Sequence, residues 1–260
     1  MKMVKNIFRI LWRVWFYVLI SSTILLMFPF LVVLTSDEKF YSIFWKLIRA
    51  WAKILIFGMG FYIDKKILEE IDREKSYMFC ANHASMLDPF ILISMSKNPI
   101  VFVGKKELEK IPIFGFFYKK VVIMVDRSNP KSRKRVFEMA KKRLQNGTSM
   151  GIFPEGMVPT EEIILSPFKN GAFSLAIEFQ IPIVPATYFD CKRLFSWDLF
   201  KGRPGKLRVK QHQLIETKNL NPEVVENLKQ QTFDIIYKDL INDHMYMKDT
   251  NRKENERVKP

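Results

Sequence analysis

The stretch Tyr77-Met78-Phe79-Cys80-Ala81-Asn82-His83-Ala84-Ser85-Met86-Leu87-Asp88-Pro89 decides how the rest of the chain is read. Residues 77–81 form a short, uninterrupted apolar run, the pattern of a strand buried on both faces. Residues 90–95 are apolar again and read as a helix led in by Asp88 and Pro89. A histidine and a carboxylate therefore lie on a strand-to-helix turn, at the mouth of whatever sheet the strand joins. The chain has three histidines, and neither His212 nor His244 has such a setting. Imidazole is the side chain best matched to proton transfer near neutral pH. A carboxylate on its far nitrogen fixes the tautomer and stabilises the imidazolium.

A purely structural reading accounts for the same residues. Asp followed by Pro is a strong helix start, with Asp88 as N-cap and Pro89 at the first helical position. Ser85, three residues before Asp88, makes a capping-box-like pair. Five residues along a regular helix turn through about 140°, which would point His83 and Asp88 apart. The pair forms only if His83 lies in the turn ahead of the helix, with the two oxygens of Asp88 serving both the cap and the imidazole.

With 260 residues the chain can build one domain with a real core and carry an appendage. Its 42 Lys and Arg against 27 Asp and Glu leave a formal charge of +15, which suits an anionic partner. The 23 phenylalanines and a hydrophobic N-terminus favour an anionic membrane over nucleic acid. No zinc-finger spacing or aromatic RNA-binding signature supports the latter. Cys80 and Cys191 sit beside apolar runs and read as small core residues, not as a disulfide or a metal pair.

Residues 14–34 carry no charge and are long enough to cross the hydrocarbon layer. Lys2, Lys5, Arg9 and Arg13 precede them, which keeps the N-terminus cytoplasmic by the positive-inside rule. Residues 41–62 are apolar again but place Lys46, Arg49 and Lys53 on one helical face, as in a helix lying in the interface or a tilted second segment. From residue 65 onward, short apolar runs (77–81, 100–103, 121–125, 149–153, 183–189, 207–212) alternate with helical patterns (89–96, 131–145, 169–179, 222–241). The expected fold class is α/β: a mixed, largely parallel sheet flanked by helices and preceded by N-terminal membrane-associated helices. The expected division is a membrane-associated region at 1–63, a catalytic domain at 64–247 and a charged, disordered tail at 248–260.

Three of the expected strands end in polar loops, where α/β domains place their sites. These are Asn82 and His83, then Asp126 and Arg127, then Pro154-Glu155-Gly156. Arg127 offers the paired donors that suit a phosphate, although a solvated arginine capping a helix reads the same way.

In this order the loops resemble the conserved blocks of the glycerolipid acyltransferases, the 1-acyl-sn-glycerol-3-phosphate acyltransferase family. Asn-His-x-Ser-x-x-Asp at 82–88 is similar to the first block and Val-Ile-Met-Val-Asp-Arg at 122–127 to the second. Phe-Pro-Glu-Gly at 153–156 is similar to the third and Ile-Pro-Ile-Val-Pro-Ala at 181–186 to the fourth. The resemblance implies that His83 is the general base on an acceptor hydroxyl and that Asp88 orients and charges it. It implies attack on an acyl thioester of CoA or acyl carrier protein, with no enzyme nucleophile, metal or cofactor. Arg127 is implied as phosphate ligand and Lys105 as a second basic group facing that phosphate, while Glu155 and Gly156 shape the acceptor loop. The third block usually continues Thr-Arg-Ser, where this chain has Met157-Val158-Pro159. One phosphate-contacting arginine is thus missing, and Lys169 is the candidate to supply charge in its place.

The partners implied are lysophosphatidate or a related lyso-lipid, an acyl thioester donor and an anionic membrane, without nucleic acid. A single span would carry His83 away from cytoplasmic thioesters, so a hairpin or monotopic arrangement on the cytoplasmic face of the cell membrane is expected. Transfer to another lyso-lipid, a lysophospholipid or an aminolipid, is the nearest alternative. A non-catalytic basic membrane-binding protein, with His83 and Asp88 as caps, is the alternative from another class.

Overall fold

The computed structural model describes residues 2–111, 113–125, 130–160 and 162–249. In chain order the elements are α1 (Lys2–Leu34), α2 (Tyr41–Gly58), β1 (Phe61–Ile67), β2 (Met78–Ala81), α3 (Asp88–Met95), β3 (Ile100–Lys105), α4 (Phe114–Val121) and β4 (Val122–Val125). They continue with α5 (Pro130–Gln145), β5 (Ser149–Ile152), α6 (Gly171–Glu178), β6 (Ile183–Tyr188), α7 (Cys191–Leu194), β7 (Gly205–Gln211), α8 (Val225–Asn242) and α9 (His244–Asp249).

The strands form one sheet in the order β1-β7-β6-β2-β5-β3-β4. Every neighbouring pair is parallel except β6 with β7. The apolar runs are strands because both faces of this sheet are covered. Met78 to Ala81 are all buried, and so is every residue of β6. On one face, α5, α6 and α8 close a core around Met78, Val101, Phe173, Ile177, Ile236 and Leu240. On the other, α1, α2 and α3 cover Phe61, Ala81, Ile91, Leu207 and Val209. This is the expected α/β class with a mixed, largely parallel sheet.

The sheet order places a switch point at β2. The chain leaves β2 toward β5, β3 and β4, and after β5 it returns across β2 to β6 on the other side. A crevice opens where neighbouring connections diverge in this way, beyond the carboxyl ends of the strands. The turn bearing His83 leaves β2 at that point.

β1 had no strand signal. Its core-facing residues are interrupted by Asp64, Lys65 and Lys66, which are exposed on the sheet's edge, where charge discourages further pairing. Its partner β7 lies far along the chain, so the pairing of Phe61 with Gly205 has no local signature. The boundary drawn at 63/64 therefore falls inside a strand. α4 was not among the expected helices, and most of the charged tail lies outside the described residues.

The N-terminal helices form a hairpin whose far end also rests on the domain: Tyr41 Oη donates to Ile100 O at 3.0 Å, Lys142 pairs with Glu38 at 3.0 Å, and Leu31 and Phe44 pack with Phe117. α1, at 33 residues, is about 50 Å long, and among the described residues it is the one helix long and apolar enough to cross a membrane. α2 packs alongside it and returns. Trp12 Nε1 near the start of α1 donates to Met59 O just beyond the end of α2 at 3.1 Å, and Trp15 Nε1 donates to Gly58 O at 2.9 Å. Thr23 Oγ1 accepts from Trp51 Nε1 at 2.8 Å farther out along the pair. The charged face of α2 keeps Lys46 and Lys53 in the open while Trp45, Ala52 and Leu55 are buried.

Candidate active site

The tight turn between β2 and α3 is built by one carboxylate oxygen. Asp88 Oδ2 accepts from Ala84 N at 2.6 Å, from Ser85 N at 2.7 Å and from His83 Nδ1 at 2.8 Å. Asp88 is the first residue of α3, the N-cap position falls on Leu87, and Pro89 follows inside the first turn. The carboxylate thus reaches back over the turn instead of capping the helix amides. Ser85 contributes in the forward direction, its Oγ accepting from Leu87 N at 3.1 Å and donating to Phe195 O at 2.8 Å. The expected N-cap role of Asp88 is not met, while its pairings with Ser85 and with His83 both are, through the same oxygen. The other oxygen, Oδ1, accepts no hydrogen bond among the described residues.

His83 sits in the turn, not on the helix, which is why five residues of spacing still bring the pair together. Its ring stacks on Phe153 with centroids 4.5 Å apart and planes 19° from parallel. With Nδ1–H donating to Asp88, the lone pair is on Nε2, and the side chain keeps 22% exposure. The dyad is open to a substrate on one side and anchored in a dry wall on the other.

Glu155 lies beneath the turn. Its Oε1 accepts from His83 N at 2.6 Å and its Oε2 from Ser166 N at 2.8 Å, with the side chain buried. Burial pushes this carboxyl up to about 7, against the two amide donors that favour its charged form. Glu155 thus fastens the loop after β5 to the backbone of His83. Gly156 turns that loop at φ +78°, a conformation that suits a residue without Cβ, and its N–H donates to Phe153 O at 3.0 Å.

Of the other sequence-predicted residues, Lys105 and Lys169 lie among the described residues. Lys169, exposed, is tied to the same loop through its N–H to Pro154 O at 2.9 Å. Lys105 ends β3, and its backbone lies opposite Val125 at the end of β4. Arg127 lies outside the described residues, two positions past Val125.

Several contacts at the site are not legible in the sequence. Asn82 clips β2 to β6: its Nδ2 donates to Tyr188 O at 3.0 Å and its Oδ1 accepts from Tyr188 N at 2.7 Å. Tyr188 and Cys191 come from the end of β6 and the start of α7. Burial first, then the nearby Asp88 charge, push both hydroxyl and thiol well above their ordinary values, so both remain protonated. Neither is suited to act as a nucleophile. Lys192 is buried and donates to Thr160 O at 2.5 Å and Ile163 O at 2.9 Å, holding the stretch that follows the third block. Phe153 was quoted in that block, but only the fold shows that its ring backs the imidazole.

Comparisons with known proteins identify the family and the fold. A family model described as Acyltransferase matches residues 63–189. The 1-acyl-sn-glycerol-3-phosphate acyltransferase of Saccharomyces cerevisiae is 30% identical over 214 residues, covering 76% of this chain and 69% of the yeast protein. The protein of the same name from Borreliella burgdorferi is 28% identical over 195 residues, 75% of this chain and 78% of its own length. The crystal structure of the 1-acyl-sn-glycerophosphate (LPA) acyltransferase PlsC from Thermotoga maritima superposes with a TM-score of 0.75. It covers 94% of this chain and 99% of its own at 21% identity, a likeness of fold.

Proposed function

The chain belongs to the 1-acyl-sn-glycerol-3-phosphate acyltransferase family and is an O-acyltransferase, and from that premise we propose that it acylates the free hydroxyl of 1-acyl-sn-glycerol 3-phosphate, giving phosphatidic acid. The donor is a fatty acyl thioester, on CoA or acyl carrier protein. The observation that carries the proposal is the 2.8 Å contact of His83 Nδ1 with buried Asp88, which leaves Nε2 as the base. Nε2 takes the proton of the acceptor hydroxyl as that oxygen attacks the thioester carbonyl carbon. The new C–O bond forms, the tetrahedral adduct collapses with loss of the C–S bond, and the thiolate takes the proton back from the imidazolium. An ester and a thiol result, and His83 returns to its neutral state. A thioester is already activated, so the step requires neither a covalent enzyme intermediate nor a cofactor.

The acceptor phosphate is assigned to Arg127 with Lys105. The register of β3 against β4 supports this, because it brings the chain at Lys105 beside the strand end that leads to Arg127. Lys169 is the third cation, tied to the loop of Glu155 and Gly156. Transfer to a lyso-lipid with a different head group is favoured by one observation: exposed Met157 stands where the third block usually carries on toward an arginine. α1 and α2 form a monotopic hairpin in the cytoplasmic leaflet, since α1 begins where α2 ends and the domain never has to cross.

An acceptor panel assayed with one thioester donor, on protein reconstituted in vesicles, tests the reading. Lysophosphatidate turns over best, and His83→Ala loses at least 10²–10⁴-fold in rate, the size of a general-base contribution. A lysophospholipid turning over faster moves the enzyme to the second reading, and wild-type protein acylating no lyso-lipid sinks both. Arg127→Ala raises KM for the phosphate-bearing acceptor far more than KM for the thioester. Equal effects on the two would remove Arg127 from the phosphate.

A further inference from the structure

The connection from α7 to β7 is bonded along its backbone and turned inside out. Trp197, Leu199 and Phe200 are 57%, 53% and 50% exposed, while the backbone that carries them is tied down residue by residue. Arg13 of α1 is buried beneath it, its guanidinium over the Phe195 ring at 4.0 Å. Its Nη2 donates to the carbonyls of Ser196, Asp198 (3.3 Å) and Lys201 (3.0 Å). Arg9 Nη1 donates to Phe200 O at 2.6 Å. Within the loop, Asp198 N donates to Ser196 Oγ at 3.0 Å and Phe200 N to Asp198 Oδ1 at 2.9 Å. Gly202 closes it at φ +104°, where a Cβ would lie 2.5 Å from Leu194 O. A mobile loop exposes apolar groups at random. This one holds three of them outward in fixed positions, at the cost of water contact.

The surroundings specify what covers them. Phe8 and Leu11, on either side of Arg9 in α1, are exposed too, so the loop extends the apolar surface of the membrane-seeking helix. Lys5 lies one turn before Arg9, and Lys201 and Arg203 are exposed on the loop itself. Aromatic and aliphatic groups rimmed by Lys and Arg match the boundary between acyl chains and anionic head groups.

We propose that residues 197–200 are a second lipid-embedding element, which inserts into the surface of an anionic bilayer beside the α1–α2 hairpin. Ser85 Oγ bonds Phe195 O at 2.8 Å, so the loop is joined to the turn that carries His83 and Asp88. Immersion of the loop therefore sets the height of the dyad above the lipid from which the acceptor comes. The hairpin lies against the domain near both of its ends, at Trp12 and Phe16 on Phe195 and at Tyr41 on Ile100, so the loop and the hairpin immerse as one body. The inference rests on the membrane reading of α1 and α2, and not on the reaction assigned to His83.

The test uses full-length protein in phosphatidylglycerol-containing vesicles, with an environment-sensitive fluorophore at one introduced cysteine: Leu199→Cys, Leu26→Cys on exposed α1, or Asp234→Cys on α8, across the sheet. Cys80 and Cys191 are buried and stay unlabelled. The label at 199 shifts to the blue and is quenched by brominated lipid, as at 26, while the label at 234 does neither. Replacing the anionic lipid with phosphatidylcholine weakens the signal at 199 and leaves that at 26. A label at 199 that stays aqueous while 26 is immersed overturns the proposal and spares the hairpin. Aqueous signals at both positions overturn the hairpin with it. Signals at 199 that are equal in both lipids remove the head-group part.

Discussion

At the scale of single residues, the site depends on Asp88 Oδ2 taking three donors at once. Asparagine can keep all three bonds through an amide oxygen in the place of Oδ2, but it brings no charge for the imidazolium and puts its NH2 in the place of Oδ1, which is buried without a partner among the described residues. Asp88→Asn is expected to fold and to lose roughly 10²–10⁴-fold in kcat with little change in either KM, read from steady-state kinetics. A variant with normal kcat and a raised KM would reduce Asp88 to an organiser of the loop. The N-cap reading of this residue fails, because the cap falls on Leu87 and the carboxylate bonds amides ahead of the helix, while the box-like pairing with Ser85 holds through Ser85 N at 2.7 Å. The expected division of labour between the two oxygens fails as well, since Oδ1 shares neither task.

Between elements, Glu155 is the tie. It spans the turn after β2, the loop after β5 and the backbone at Ser166, and it has been taken out of water to do so. Its folded-state value of about 7 lies above the ordinary 4.5. The folded protein then holds a proton that the unfolded chain releases, so the linked stability is complete below about pH 4.5 and is lost as the pH rises through about 7. Glu155→Gln does not titrate, and its amide meets two N–H donors with a single oxygen. Chemical denaturation should show it less stable than wild type by about 1–3 kcal/mol in mild acid, with the gap narrowing toward pH 8. A gap of constant size across that range would mean that Glu155 stays ionised throughout. In the sequence, Glu155 reads as a residue of the acceptor loop; its burial beneath His83 was invisible because the contact joins loops after two different strands.

For the whole molecule, the question is how a soluble-looking α/β domain is held to a helical hairpin. Arg13 is one junction, beside the contacts of Trp51 with Phe90 and of Phe28 with Phe117: a buried cation that donates to three loop carbonyls from a helix which continues into an uncharged stretch. Arg13→Met preserves the apolar stem and abandons those carbonyls. Hydrogen exchange should quicken in residues 195–203 and in the first turns of α1, and turnover of a bilayer-presented acceptor should fall along with it. Unchanged exchange in both segments would show that the aromatic contacts of Phe195 with Trp12 and Phe16 hold this end of the hairpin without Arg13.

The sequence by itself determined the features that depend on near neighbours. The buried strands follow from continuous apolar runs, the histidine–carboxylate turn from a strand abutting Asp-Pro, and the N-terminal helices from long uncharged stretches. Basic residues 2, 5, 9 and 13 were legible as flanking charge, but Arg13 as a structural bolt was not. Only the tertiary structure decided the pairing of β1 with β7, the seat of Glu155 under the imidazole, and the clip of Asn82 on Tyr188. It also set the loop at 197–200 beside α1. Each of these joins segments distant along the chain, and the side chains involved have the same local pattern whether or not they meet. Their partners are chosen by the order of strands in the sheet, which is settled by packing and not by periodicity.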